Sequence, residues 1–431
     1  MKEISIGLLG LGTVGSGVVK IIENHQEKLM HQVGCPVKVK KILVKNIDKH
    51  LSNGVEASLL TTDVDDILND PEIDIVVEVM GGIDQTKQYL FQALNNKKHV
   101  VTANKDLMAL YGGKLLKKAS ENGCDLFFEA SVAGGIPILR SITEGLSSDK
   151  ITKIMGIVNG TTNFILTKMS QNGAAYDEVL KQAQELGFAE ADPTSDVEGL
   201  DAARKMVILA TLGFSMEMAL DDVSVQGISG VTEEDIQYGK QLGYTMKLIG
   251  IAQQDGEKVE VSVGPTFLAD THPLASVHNE YNAVYVCGEA VGETMFFGPG
   301  AGSLPTATSI VSDLVVVMKN MQSGVNGKGN TAPQYPKQLK QSDEIFSKYF
   351  LRLHVSDEAG VFAKITSLFA EHNISFEKIL QLPVVKRETA EIVLVTHHAS
   401  KKDYEEVLVQ LNDLKSVKGI KSSYRVERGT V

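Results

Sequence analysis

IGLLGLGTVGSGVVKIIENHQEKL, residues 6–29, opens on a short apolar strand and closes on a helix, with Gly10, Gly12 and Gly15 spaced G-x-G-x-x-G between them. Strand, glycine turn and helix in that order let backbone N–H groups approach a pyrophosphate closely, and the helix N-terminus adds favourable partial charge. Val14, Val18, Ile21, Ile22 and Leu29 fall near one helical face, so a helix packed on a sheet is expected after the turn. The same spacing also fits a plain tight turn. The strand before it and the helix after it favour a dinucleotide.

Outward from this stretch, VKVKKILV (37–44) and IDIVVEV (73–79) read as buried β runs, and helix-like IDQTKQYLFQALNN precedes a further run, HVVTA (99–103). Such alternation predicts a parallel, doubly wound sheet. DLFFEA, the loop SVAGG and helix-like IPILRSITEGL extend this nucleotide domain to residue 146. From ITKIMGIV (151–158) the character changes: NGTTNF follows, and KVEVSVG and AVYVCGE predict a second sheet, giving an α+β substrate and dimerisation domain over 147–320. The glycine-rich FFGPGAGSLPTATSIVSDLVVVM (296–318) reads as a loop and an apolar helix that folds back on the nucleotide domain. Residues 321–347 have the Gly, Pro, Gln and Lys content of a flexible linker. Beyond it, residues 348–426 read as βαββαβ.

A chain of 431 residues, 43% apolar and 22% charged, is expected to form two or three globular domains. The first residues hold too short an apolar run for a signal sequence or membrane span, so a cytoplasmic protein without membrane association is the expectation. A formal charge of -12 argues against nucleic acid as a partner. Cys35, Cys124 and Cys287 show neither metal-ligand nor redox spacing and read as free thiols.

Three places carry candidate chemistry. The second strand ends in ILVKN, with Lys45 and Asn46 where an NAD-selective site usually has a carboxylate for the ribose 2′-hydroxyl. A cation there suits the 2′-phosphate of NADP; Lys45 equally fits a solvated strand-end lysine. TANKD puts Lys105 directly after a β run, at the sheet edge where such folds bind ligands. GFAEADPTSDVEGLDAARK places Glu190, Asp192, Asp196, Glu198, Asp201, Arg204 and Lys205 within sixteen residues, with Asp201 and Lys205 at i, i+4 on one helical face. That pattern fits an exposed helix start with an ordinary ion pair, or a site that holds an ammonium and delivers a proton.

GLGTVG, VEVMGG, TANKD, EASVAGGIP, NGTTNFIL, FAEADPTSDVEGLDAARK and GPGAGS occur in the order found in homoserine dehydrogenases, over residues 1 to about 320. The chain thus resembles that family, which implies a Rossmann-type nucleotide domain and reversible, nicotinamide-dependent reduction of L-aspartate 4-semialdehyde to L-homoserine, on the route to threonine, methionine and isoleucine. By matching motifs, Lys205 would be the proton donor, Lys105 would sit beside the nicotinamide, and Glu190 and Asp201 would hold the substrate ammonium, with Gly160 and Thr161 as loop contacts. The cofactor, NADP with NAD as the alternative, would touch Gly10, Leu11, Gly12, Thr13, Val14, Gly15, Lys45, Gly81, Lys105 and Gly302. The resemblance also implies a sodium ion on the Glu129 side chain and the carbonyls of Val132, Gly134 and Ile136, and assembly as a homodimer or homotetramer.

The C-terminal segment resembles an ACT domain, whose strand-to-helix loop binds a regulatory amino acid. In VSDEAGVFAK, Asp357 and Gly360 match the usual D-x-P-G, with Ala359 in place of proline. L-Threonine is the first candidate effector and methionine the second; a structural or dimerising module is the alternative. Two other functions fit parts of the sequence. An aspartate-semialdehyde dehydrogenase needs an activated cysteine, and no candidate loop holds one. A non-catalytic nucleotide and amino-acid sensor would not need Lys105, Glu190, Asp201 and Lys205 together.

Overall fold

The computed structural model describes residues 3–329, 333–384 and 389–428. The chain divides into two compact units: Met1–Ile154 with Arg204–Asp221 and Asn282–Lys337, and Met155–Ala203 with Asp222–Tyr281 and Gln338–Val431.

In the first unit, β1 (Ile4–Leu9), β2 (Val37–Leu43), β3 (Leu60–Thr61), β4 (Ile75–Glu78), β5 (His99–Thr102) and β6 (Leu126–Phe127) form one sheet in the order β3-β2-β1-β4-β5-β6. All its pairings are parallel. β1 and β4 are buried along their whole length, as strands covered on both faces must be, which is why they read as unbroken apolar runs. Strand order reverses between β1 and β4, so the crevice for a ligand opens at their C-terminal ends. Ile6, Leu8, Ile75 and Val77 share a core with Val18 and Ile22 of the first helix and with Ala307, Ile310, Leu314 and Val317 of helix Ser303–Ser323. Each buried aliphatic side chain of this kind contributes about 1.5–3 kcal/mol.

The helix expected after the glycine turn is two helices, Thr13–Asn24 and Gln26–Val33, separated by His25 at φ -117 and ψ 24. Asn24 and His25 are weak helix formers, and Val18, Ile22, Leu29 and Val33 are buried all the same. Burial of the apolar face, not continuity of the helix, is what the sequence pattern encodes.

In the second unit, Tyr244–Asp255 and Lys258–Ala269 pair antiparallel without a slip. The C-terminal segment forms a sheet in the order Val417–Glu427, Phe346–Ser356, Thr389–Thr396, Phe376–Val384, and helices Val361–Glu371 and Lys401–Asp413 share its core. This is the expected βαββαβ fold. It is not a separate bead, because Arg425–Glu427 pairs parallel with Thr266–Leu268, and the Phe267 ring meets those of Phe350 and Tyr424. Buried Asp235 accepts from Ser422 Oγ at 2.5 Å and Tyr424 OH at 3.0 Å, and faces Arg352 Nε at 3.0 Å.

The stretch with linker composition is tethered along much of its described length; residues 330–332 lie outside the described residues. Helix Ser303–Ser323 reaches into it, Gly327 N–H donates to Asp125, and the N–H groups of Gln334 and Tyr335 donate to the Ser215 carbonyl. Farther on, Val259 N–H donates to Gln338 O and Lys340 N–H to Val259 O. A lack of large apolar residues keeps a segment out of the core without preventing backbone hydrogen bonds. Among the described residues, no helix is long and apolar enough to cross a membrane.

Candidate active site

At the C-terminal edge of β1, Gly10 has φ 105 and donates its N–H to Leu43 O at 3.1 Å. A Cβ on Gly15 would lie 2.2 Å from the Gly10 carbonyl oxygen, so the turn closes only around glycine. Gly12 caps helix Thr13–Asn24 with no side-chain hydrogen bond, and a Cβ on it would face open space. The turn carrying Leu11, Thr13 and Val14 therefore presents helix amides to a clear approach, and a pyrophosphate fits that cradle. Two other glycine loops meet it. Met80 backs onto Gly10, and Ser303 Oγ, next to Gly302, donates to the Thr13 carbonyl at 2.7 Å. Lys45 is exposed just beyond β2, and its neighbour Asn46 caps the following short helix.

The β4 end reaches the same crevice. Glu78 is fully buried, and its carboxylate accepts from the amides of Met80 (2.9 Å) and Gly81 (3.0 Å) and from Thr102 Oγ1 (2.5 Å). Burial pushes its carboxyl up, against the pull of those donors. Thr102 also accepts from Asn104 N–H, and Asn104 caps helix Lys105–Glu121 while its Nδ2 donates to Gly82 O at 2.7 Å. Lys105, half-buried, is the first residue of that helix. Its neighbour Asp106 pairs with Arg204 Nε at 2.9 Å.

In the second unit, Asn159 caps helix Gly160–Asn172. Its Oδ1 accepts from Thr162 N–H, and its Nδ2 donates to Asp196 Oδ1 at 2.7 Å and to Asp201 Oδ2 at 2.9 Å. Thr161 Oγ1 also reaches Asp196, at 3.2 Å, and a Cβ on Gly160 would lie 2.7 Å from the Glu280 carbonyl oxygen. Asp201 is buried near the start of helix Leu200–Phe214, which carries half-buried Lys205 one turn later, whereas Glu190 is exposed.

The loop 132–136 turns through Ala133 (φ 53) and Gly134 (φ 48), a left-handed pair that costs a non-glycine residue about 1 kcal/mol or more. The Glu129 carboxylate accepts from Leu139 N–H (2.7 Å) and Arg140 N–H (2.9 Å), leaving further lone pairs for a cation. Asp313 accepts from Glu129 N–H, and burial together with the Glu129 charge pushes its carboxyl up to about 7. Burial raises Glu129 as well. Arg140 pairs with Asp313. The Glu129 carboxylate beside a left-handed turn of carbonyls is an oxygen donor set that suits a hard cation.

Three family models match the chain: "Homoserine dehydrogenase, NAD binding domain" over residues 10–129, "Homoserine dehydrogenase" over 137–315 and "ACT domain" over 349–416. The homoserine dehydrogenase of Bacillus subtilis is 67% identical over 428 residues, covering 99% of both chains. The chain belongs to the homoserine dehydrogenase family. A crystal structure of the homoserine dehydrogenase of Thiobacillus denitrificans, 39% identical, superposes with a TM-score of 0.93 over 99% of each chain. A hyperthermophilic archaeal homoserine dehydrogenase solved in complex with NADPH, 26% identical, has a TM-score of 0.63 and covers 73% of this chain and 98% of its own. Neither an aspartate-semialdehyde dehydrogenase nor a non-catalytic sensor finds support in these comparisons.

For a homoserine dehydrogenase, the residues that sequence reasoning passed over are Glu78, Thr102, Asn104 and Asn159, while Asp196 stood in the acidic cluster without a role until Asn159 and Thr161 met it. Glu78 and Thr102 were hidden inside apolar β runs. Asn104 and Asn159 each stand three residues before the amide they cap, a spacing that an N-cap search finds. In the ACT domain, Asp357 is exposed and Gly360, at φ 88, caps helix Val361–Glu371 with no side-chain hydrogen bond.

Proposed function

We propose that the chain catalyses the reversible reduction of L-aspartate 4-semialdehyde to L-homoserine, with NADPH preferred, in the biosynthesis of threonine, methionine and isoleucine. The observation that carries this reading is one helix, Leu200–Phe214, in which buried Asp201, held by Asn159, precedes Lys205 by one turn. Bound NADPH supplies the hydride. Lys205 gives its ammonium proton to the substrate oxygen as negative charge develops there, and Lys105 steadies that oxygen beside the nicotinamide. Asp201 and Glu190 take the substrate ammonium, and the Gly160–Thr161 turn closes on its other end.

Lys45 meets the 2′-phosphate of NADP; what supports this is its exposed position just beyond β2, where Val44, Lys45 and Asn46 put no carboxylate at the strand end. A sodium ion sits on the Glu129 side chain and the carbonyls of Val132, Gly134 and Ile136 and stiffens the loop; what supports this is an all-oxygen donor set on a left-handed turn. The ACT domain takes L-threonine, its carboxylate at the amides of helix Val361–Glu371 and its ammonium at Asp357.

The test is loss of NADPH absorbance when the purified full chain meets L-aspartate 4-semialdehyde, and its gain with L-homoserine and NADP. Activity that depended on phosphate, as acyl transfer through a semialdehyde dehydrogenase does, or no activity in either direction, would remove this reading.

A further inference from the structure

Glu78 occupies a position where packing alone would select an aliphatic residue. It ends β4 after Ile75, Val76 and Val77, all fully buried, and it lies in register with Leu9 of β1 and Thr102 of β5. Isolating a carboxylate here is costly, and among the described residues no cation pairs with it. Its partners are neutral donors, two amides of the loop that follows β4 and the hydroxyl that ends β5. Charge-assisted bonds of this kind are the stronger ones, so the carboxylate fixes what it touches.

What it touches lies on both sides of the crevice. On one side, the Met80 and Gly81 amides bind Glu78, while Thr86 Oγ1 donates to Gly81 O at 2.6 Å and Asn104 Nδ2 donates to Gly82 O. The loop against Gly10 is therefore held at both its donors and its acceptors. On the other side, Thr102 donates to Glu78 and accepts from Asn104 N–H, and Asn104 caps the helix that begins at Lys105. A chain of hydrogen bonds runs from the cofactor loop through Glu78 and Thr102 to the cap before Lys105.

We propose that Glu78 is a positioning residue, one buried carboxylate that sets the Met80–Gly82 loop for the nucleotide and, through Thr102 and Asn104, the helix start that carries Lys105. The inference rests on the reading that this loop and Lys105 face the nicotinamide. Glu78→Gln keeps size and removes the second acceptor oxygen. Thr102→Val keeps shape, removes the donor on Glu78 Oε2 together with the branch to Asn104, and leaves the Met80 and Gly81 amides on Oε1.

The experiment measures NADPH dissociation constants by fluorescence titration, kcat, KM and melting temperature for the full chain, Glu78→Gln, Thr102→Val and Lys105→Ala. Glu78→Gln should weaken NADPH binding about tenfold, as loss of a charge-assisted hydrogen bond does, and also lower kcat. Thr102→Val should lower kcat about tenfold with NADPH affinity within about twofold of the parent. A purely structural role would lower both melting temperatures and leave this split absent. If Lys105→Ala is fully active, the functional reading of Lys105 fails, and the NADPH affinity of Glu78→Gln still decides the loop branch. NADPH affinity within twofold of the parent in Glu78→Gln overturns the proposal, as does a Thr102→Val enzyme that loses affinity and turnover equally. If Glu78→Gln does not fold, the affinity and turnover of Thr102→Val decide alone.

Discussion

Arg204 Nε lies 2.9 Å from Asp106 Oδ1, so the residues next to Lys205 and Lys105 in sequence are ion-paired to each other. Both side chains are partly exposed, and such pairs contribute only about 0–1 kcal/mol to stability. Their consequence is orientation of two helices. Arg204→Ala and Asp106→Asn should therefore leave the melting temperature nearly unchanged and lower kcat about tenfold, the scale expected when reacting groups are slightly misplaced. Melts and steady-state kinetics on both variants check this, and unchanged kcat in both would deny the pair any role in orientation.

Lys45→Ala should raise the KM for NADPH about tenfold, the scale of one lost charge-assisted contact, and leave that for NADH alone. Initial rates with each cofactor decide. Equal effects on both would assign Lys45 to the solvated strand end.

Lys247 is 1% exposed and donates to Asn163 Oδ1 at 3.0 Å and to the carbonyl of Val277, whose neighbour in sequence, His278, is the titratable group that feels its charge. Burial pushes its pKa down from 10.5 to about 8. Between pH 8 and 10.5 the unfolded chain holds a proton that the folded chain has released, so this residue's contribution to stability rises with pH across that window. Melting temperatures from pH 7 to 10 should move in favour of the parent over Lys247→Met as pH increases beyond about 8. Parallel curves would mean that Lys247 does not titrate there.

L-Threonine should inhibit the full chain, and Asp357→Ala should weaken that inhibition by about tenfold while leaving both KM values unchanged. Truncation after Gln334 is the poorer test, because it would uncover Phe267, which is 0% exposed and packs on Phe350 and Tyr424. Activity indifferent to threonine and methionine would leave the C-terminal domain an assembly module.

Much of this molecule is legible before folding. The parallel sheet follows from glycines after an apolar strand, and the βαββαβ segment from alternating periodicities. Other features depend on partners far away in sequence. Glu78 looks like the tail of an apolar run until Met80, Gly81 and Thr102 gather around it. Asn159 has a local signal as a cap, but its bridging of Asp196 and Asp201 spans about forty residues that no periodicity connects. The pairing of Arg425–Glu427 with Thr266–Leu268 is likewise invisible, since each strand reads as complete on its own. The break at His25 escaped because the apolar face continues across it.

Proton donation by Lys205 is tested most directly by following NADPH consumption with L-aspartate 4-semialdehyde in the full chain and in Lys205→Ala, alongside NADPH titrations of both. The expected result is a fall in turnover of about 10²-fold or more, the range for losing a general acid, with NADPH affinity nearly unchanged. Turnover in Lys205→Ala comparable to the parent, at equal affinity, would contradict it.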